Sequence, residues 1–104
     1  MKGAKTSILD AVGPTPIVRL GRIGAELEAE LYVKCEFVNP SGSAKDRMVR
    51  ALVDAAEKSG ELVPGGTLVE ATTGNTGVAL AMLAAVRGYK CVFEVPDKTS
   101  AEKI

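Results

Sequence analysis

The stretch that decides the fold runs from Thr67 to Gly88 and reads TLVEATTGNTGVALAMLAAVRG. Its first residues, Thr67 to Ala71, are rich in β-branched side chains and form a strand signal. Thr72 to Gly77 then gathers Thr, Gly and Asn into a loop. Val78 to Val86 is apolar almost all round, and Arg87 and Gly88 close it. A helix without a polar face must be covered on several sides. Lys90 to Val95 is the next strand, ended by Pro96. Strand, loop, helix and strand in this order make the crossover that builds a parallel sheet.

Upstream, Lys45 to Ser59 has helical spacing, with Met48, Leu52 and Ala55 or Ala56 on a stripe beside Val49 and Val53. Asp46/Arg50 and Asp54/Lys58 are spaced as i,i+4 pairs. Gly60 stops this helix, and Leu62 to Gly66 (LVPGG) is a turn. Val38 to Ser43 (VNPSGS) marks a loop before it. Earlier still, after the GPTP turn, Ile17 to Leu20 and Leu31 to Phe37 read as short strands. In the second, Leu31, Val33, Cys35 and Phe37 alternate onto a core face. Downstream, Thr99, Ser100, Ala101 and Glu102 have the spacing of a capping box that opens a further helix. Ile104 follows about one turn later, so the expectation is a piece of a longer polypeptide. The expected class is α/β, a partial parallel sheet with flanking helices, in one incomplete unit over residues 1–104. Residues 1–37 supply a leading helix and strands, and 38–104 the loop and the βαβ unit.

Composition removes several classes of function. Thirteen basic and thirteen acidic residues are interspersed and sum to zero, and aromatic residues are scarce, so nucleic acid is not the expected partner. There is no histidine, and Cys35 and Cys91 lie far apart in apolar stretches, which excludes histidine triads and the usual zinc sets and reads as buried free thiols. No run is apolar and long enough for a bilayer or a signal peptide, so no membrane is expected and the cytoplasm is the expected compartment.

Two loops carry the chemistry. NPSGSAKDR (Asn39 to Arg47) and TTGNTG (Thr72 to Gly77) each place small polar residues directly before a helix, where free N–H groups and the helix dipole attract anions. Neither is a nucleotide-binding glycine loop: there is no GxxxxGK[ST], and Gly74-Asn75-Thr76-Gly77 supplies only part of a GxGxxG. Taken alone, Lys45 is an ordinary surface charge. Yet a cation in a first turn works against the dipole, and Ser41, Gly42, Ser43 and Ala44 leave room for a group to approach its amine, as imine chemistry requires. One threonine is enough to cap a helix. Thr72, Thr73, Asn75 and Thr76 crowd a single loop at the carboxyl end of a strand, which suits an anion or carboxylate site.

GPTPIVRL, NPSGSAKDR, PGGTLVEATTGNTG and RGYKCVFEVPDKTSAEK, in this order and spacing from Gly13 onward, resemble the N-terminal part of the cysteine synthase and cystathionine β-synthase family. The resemblance implies the N-terminal portion of a fold-type-II (tryptophan synthase β-like) enzyme with pyridoxal phosphate as cofactor. It implies that Lys45 holds the cofactor as a Schiff base and acts as the catalytic base, and that Asn75 hydrogen-bonds the cofactor's ring hydroxyl. Thr72, Thr73, Gly74 and Thr76 would bind the substrate carboxylate. Thr73 stands where the family usually has serine, and Ala71 where proline is common.

The implied reaction is β-replacement on serine or O-acetylserine by a thiol or sulfide, giving cystathionine or cysteine in sulfur amino-acid biosynthesis. The full-length protein is expected to be a homodimer. Related dehydratases typically read GNH in the asparagine loop, whereas this chain reads GNTG. KDR with RGYKCVF and PDK resembles cystathionine β-synthase and its close bacterial relatives somewhat more than O-acetylserine sulfhydrylases. A second hypothesis is a catalytically inactive truncated chain that serves as an interaction module through its exposed strands.

Overall fold

Thr67–Ala71 (β3) and Lys90–Glu94 (β4) are the two strands expected around the apolar helix, and they pair in parallel with Thr67 opposite Lys90 and Ala71 opposite Glu94. The structure, a computed structural model, describes residues 1–97; the helix expected from Thr99-Ser100-Ala101-Glu102 lies outside the described residues. The crossover helix, Asn75–Arg87 (α2), packs on both strands and on the helix Lys45–Ser59 (α1). Both helices end at glycine, Gly60 and Gly88, with φ of 84° and 78°. Ile17–Arg19 (β1) and Tyr32–Lys34 (β2) form a separate antiparallel hairpin in which no residue is buried.

One core joins the helices. Val49 and Val53 of α1 meet Ala79, Leu80 and Leu83 of α2, with Leu9 from a 3-10 turn over Ile8–Ala11. Leu62, Leu68, Met82, Tyr89 and Cys91 pack around them. Ser7 caps the 3-10 turn by accepting from the Leu9 N–H (3.2 Å), and Arg50 donates to the Leu9 carbonyl (2.9 Å), so the N-terminal turn is tied to α1.

The sequence pattern misplaces four features. The buried stripe of α1 runs through Asp46, Val49 and Val53, so Met48 and Leu52, about 100° round the helix from it, are exposed; Leu52 is 61% exposed. Neither i,i+4 pair forms, because each acid has a stronger partner elsewhere: Asp46 turns back to Ser41 and Asp54 pairs with Arg87. The strand expected over Leu31 to Phe37 stops at Lys34, since the Cys35 N–H makes a last bond to the Pro16 carbonyl (2.8 Å) and the chain then coils into a 3-10 turn over Glu36–Val38. That coil breaks the alternation, burying Cys35 and leaving Val33 and Phe37 exposed. Finally, α2 starts at Asn75, inside the expected loop, and is covered on one side; Val78 and Val86 face outward. The partial parallel sheet with flanking helices is observed as expected. Among the described residues no helix is long and apolar enough to cross a membrane.

The packing sets a contrast between two leucines. Leu83, 1% exposed, sits where its atoms cannot be replaced. Leu83→Ala will cost about 2–5 kcal/mol, whereas Leu52→Ala will cost under about 1 kcal/mol, as read from denaturant unfolding followed by circular dichroism.

Candidate functional site

The relative direction of α1 and α2 determines what the two loops can do together. Arg87, at the end of α2, pairs with Asp54 (2.7 Å) and Glu57 (3.1 Å) near the end of α1, and the Tyr89 hydroxyl donates to the same Glu57 oxygen (2.7 Å). Burial opposes the charge of Arg87, but these two carboxylates outweigh it and raise its pKa above the ordinary value. With their C-terminal ends tied, the helices run in the same direction. Lys45 and Asn75, each the first residue of its helix, therefore lie at the same end of the pair. Thr76 lines one groove with Met48 and Val49 of α1, as this arrangement requires. This end is also the carboxyl end of β3 and β4, where open α/β sheets bind ligands.

The Lys45 loop is held from both sides. Asn39, 3% exposed, accepts from the Gly13 N–H (2.9 Å) and donates to the Glu36 carbonyl (3.0 Å) and carboxylate (2.9 Å). Asp46, 1% exposed, accepts from the Ser41 N–H (2.8 Å) and from its hydroxyl. Arg47 grips Glu36 with two bonds, Nε to Oε2 (2.7 Å) and Nη2 to Oε1 (3.0 Å). Arg47 and the Thr15 hydroxyl hold the Glu36 carboxyl down to about 2. The Ser43 hydroxyl accepts from the Lys45 N–H (3.2 Å), while the Lys45 side chain is exposed.

The second loop is organised by Thr72. Its N–H donates to the Glu94 carbonyl (3.2 Å), continuing the sheet, and its hydroxyl accepts from the Gly74 and Gly77 N–H groups (both 3.3 Å). The residue that caps α2 is thus Gly74 by position, with Thr72 supplying the side-chain bond. Gly77 is needed for this closeness, because a Cβ there would lie 2.8 Å from the Thr72 methyl carbon. Asn75 and Gly74 are exposed and Thr73 and Thr76 half-buried; none of their side chains is engaged by another of the described residues. Thr72, Thr73 and Gly74 border a cleft of about 270 Å³ whose other walls are Gly77, Val78, Ala81, Phe93 and Val95. Lys45 and Asn75 are not among the residues lining that cleft.

With this geometry in view, comparison with known proteins is decisive. The profile of the family described as "Pyridoxal-phosphate dependent enzyme" matches residues 8–104. The chain belongs to the pyridoxal-phosphate-dependent enzymes. It is similar to a cystathionine beta-synthase of Apis mellifera, 52% identical over 99 residues, which is 93% of this chain and 20% of that relative. It is similar to cysteine synthase B of Pseudomonas aeruginosa, 50% identical over 97 residues, 93% of this chain and 32% of that one. Among solved structures, O-ureido-L-serine synthase superposes with a TM-score of 0.91 at 51% identity, over 96% of this chain and 31% of its own. A hydrogen sulfide-producing enzyme from Fusobacterium nucleatum superposes with a TM-score of 0.90 at 40% identity, over 96% of this chain and 33% of its own. The fold is that of the N-terminal portion of fold-type-II enzymes, and the chain spans about a fifth to a third of the length of these relatives.

The residues present suit the cofactor that the family name implies. A primary amine, a loop of free hydroxyls, amides and one carboxamide, and two helix N-termini stand at one end of the fold beside an apolar wall. Reading the sequence missed Glu36 and Thr15 as parts of this site, and placed Asn39, Asp46 and Arg47 only as members of the Lys45 loop. Their bonds span up to 34 residues, and only the charges of KDR and Glu36 hinted at them.

Glu36 yields a pH prediction. Its folded pKa lies near 2 against an ordinary 4.5, so its contribution to stability is complete above about pH 5 and disappears as the pH falls from 4.5 toward 2. Acid unfolding curves will show that loss, and Glu36→Gln will remove this part of the pH dependence.

Proposed function

We propose that this chain carries the cofactor-anchoring lysine and the asparagine loop of a pyridoxal-phosphate-dependent β-replacement enzyme that acts on serine or O-acetylserine and yields cystathionine or cysteine. The observation that carries this reading is the placement of Lys45 and the Thr72–Gly77 loop at one end of two parallel helices. The likeness to a cystathionine beta-synthase and a cysteine synthase B supports the choice of reaction.

Lys45 is the residue we assign as covalent anchor, and its Nζ would take the α-proton of the amino-acid substrate and later return it. The Asn75 carboxamide would hydrogen-bond the ring hydroxyl of the cofactor. Thr72, Thr73, Gly74 and Thr76 receive the substrate carboxylate. Thr72 is suited to this because its oxygen already accepts two backbone N–H groups, which leaves its O–H free to donate. The N-terminus of α2 adds favourable potential for the same anion. Thr73, in the place of the family's usual serine, keeps the hydroxyl and adds a methyl that narrows the space for the substrate. Pyridoxal phosphate, when bound, supplies the electron sink for the α-carbanion. The incoming nucleophile is a thiol or sulfide, and the assembly we expect of the full-length protein is a homodimer. The free thiols of Cys35 and Cys91 suit a reducing compartment such as the cytoplasm.

A second reading, a non-catalytic chain that associates through its strands, is favoured by the exposure of Ile17, Val18 and Phe37. Visible spectroscopy distinguishes the two. Pyridoxal phosphate added to the chain will give a protein-bound absorption band that Lys45→Ala abolishes. Asn75→Ala will keep the band, shift it and weaken affinity by about 5- to 30-fold, as expected for one lost hydrogen bond to a charged or polar partner. A chain that gives no band favours the second reading.

A further inference from the structure

We propose that Glu36, Arg47 and Thr15, with Asn39, form a positioning network that sets the direction of the Lys45 side chain, so that the selectivity of this lysine for the cofactor depends on a carboxylate nine residues before it. The proposal rests on the reading of Lys45 as anchor and adds residues to which that reading gives no role.

A lysine in the first turn of a helix is poorly fixed by the helix itself. The first four N–H groups have no partner within the helix, and the side chain has four rotatable bonds. Its direction is then set by whatever holds the backbone on either side. Here both sides are held. Asn39 and Glu36 secure the start of the loop, and Asp46 secures its middle through Ser41. Arg47 secures the end by a two-bond fork to Glu36. The same guanidinium donates to the Gly13 carbonyl and to the Thr15 hydroxyl (3.1 Å), and Thr15 donates to Glu36 (2.6 Å). Lys34 donates to the Thr15 carbonyl and hydroxyl, both at 2.8 Å, and so fixes Thr15 from the hairpin side. Gly13 allows the close approach: its φ is +108°, and a Cβ there would lie 3.2 Å from an Arg47 nitrogen.

Two segments distant in sequence, residues 13–15 and Glu36, thus converge on Arg47, two residues after Lys45. The fork does little to hold α1 in place, because Val49, Val53 and the ties to Arg87 do that further along. The Glu36 side chain is half-buried, 24% exposed against 41% for Arg47, so the fork adds to stability as well as fixing direction, and site-selective labelling separates the two contributions. What the fork determines is the orientation of the first turn. Only a planar guanidinium makes both bonds, so lysine cannot replace arginine there.

The test is site-selective labelling of the 104-residue chain. Pyridoxal phosphate is added at limiting concentration, fixed to lysine by borohydride, and the labelled lysines are quantified by mass spectrometry. The readout is the share of label on Lys45 relative to Lys58 and Lys90, which are also exposed. Glu36→Gln and Arg47→Lys are expected to lower this share by about tenfold, on the scale by which small misplacements cost reactivity. Glu57→Gln, which loosens the opposite end of α1, is expected to lower stability and leave the share unchanged. Retention of the parent's share in both Glu36→Gln and Arg47→Lys overturns the positioning role while leaving the anchor intact. An equal fall in Glu57→Gln also overturns it, because the loss then follows general stability. No preference for Lys45 in the parent overturns the anchor reading, and the positioning role with it. Should Glu36→Gln fail to fold by circular dichroism, Thr15→Val, which removes a single hydroxyl, decides by the same measure.

Discussion

The side-by-side packing of α1 and α2 in one direction is the constraint on which the site depends. Ala79, fully buried, lets the two helices approach closely beside Val49, Val53 and Leu83. Arg87 then fixes which ends meet, because Asp54 and Glu57 on α1 leave it no equally good partner at the other end. If α1 ran the other way, Lys45 would sit about 20 Å from Asn75, the length of a fifteen-residue helix. Direction, and not mere contact, is what brings the two loops to one end of the fold.

Given that direction, the electrostatics at the shared end follow. Two helix N-termini point their unpaired N–H groups at the same region, which favours anionic ligands such as a carboxylate. Arg47 would add an unbalanced cation beside Lys45, but Glu36 neutralises it and remains ionised down to about pH 2. The amine of Lys45 is therefore the one side chain of the KDR run that is left without a partner among the described residues: Asp46 is held by Ser41 and Arg47 by Glu36. Under the proposed assignment of Lys45 as anchor, reactivity and scaffolding are divided among three consecutive residues.

Much of this was legible in the sequence, for reasons that differ by element. Thr67–Ala71 was read to the residue because β-branched side chains between a Gly-Gly turn and a Thr/Gly loop leave little alternative. The two loops were legible because clustered small polar residues before a helix are rare. The core face of α1 was misread because Met48 and Leu52 are as apolar as Val49 and Val53, and periodicity alone cannot choose between stripes about 100° apart. The hairpin strand was read too long because alternation continues through Cys35 and Phe37 after the backbone has coiled, a turn enforced by bonds from Asn39 and Cys35. The Glu36–Arg47–Gly13 network was invisible because each bond joins residues 11 to 34 apart, and no local pattern records such pairings.

The network also bears on how a ligand would be bound. Residues 39–44 contain a turn at Gly42 with no regular structure of their own, and ordering such a segment costs about 1–2 kcal/mol per residue. For six residues that is comparable to the whole stability of a small domain. The radius of gyration, 17.3 Å against about 13 Å for a compact chain of this length, reflects an open shape with little packing in reserve. If the loop ordered only when a ligand arrived, most of the interaction energy would be consumed in ordering it. Asn39, Asp46 and Arg47 make their bonds within the fold itself, so that cost falls on folding, where Val49, Val53 and Leu83 offset it. A ligand at the proposed site would then not have to meet the cost of ordering this loop.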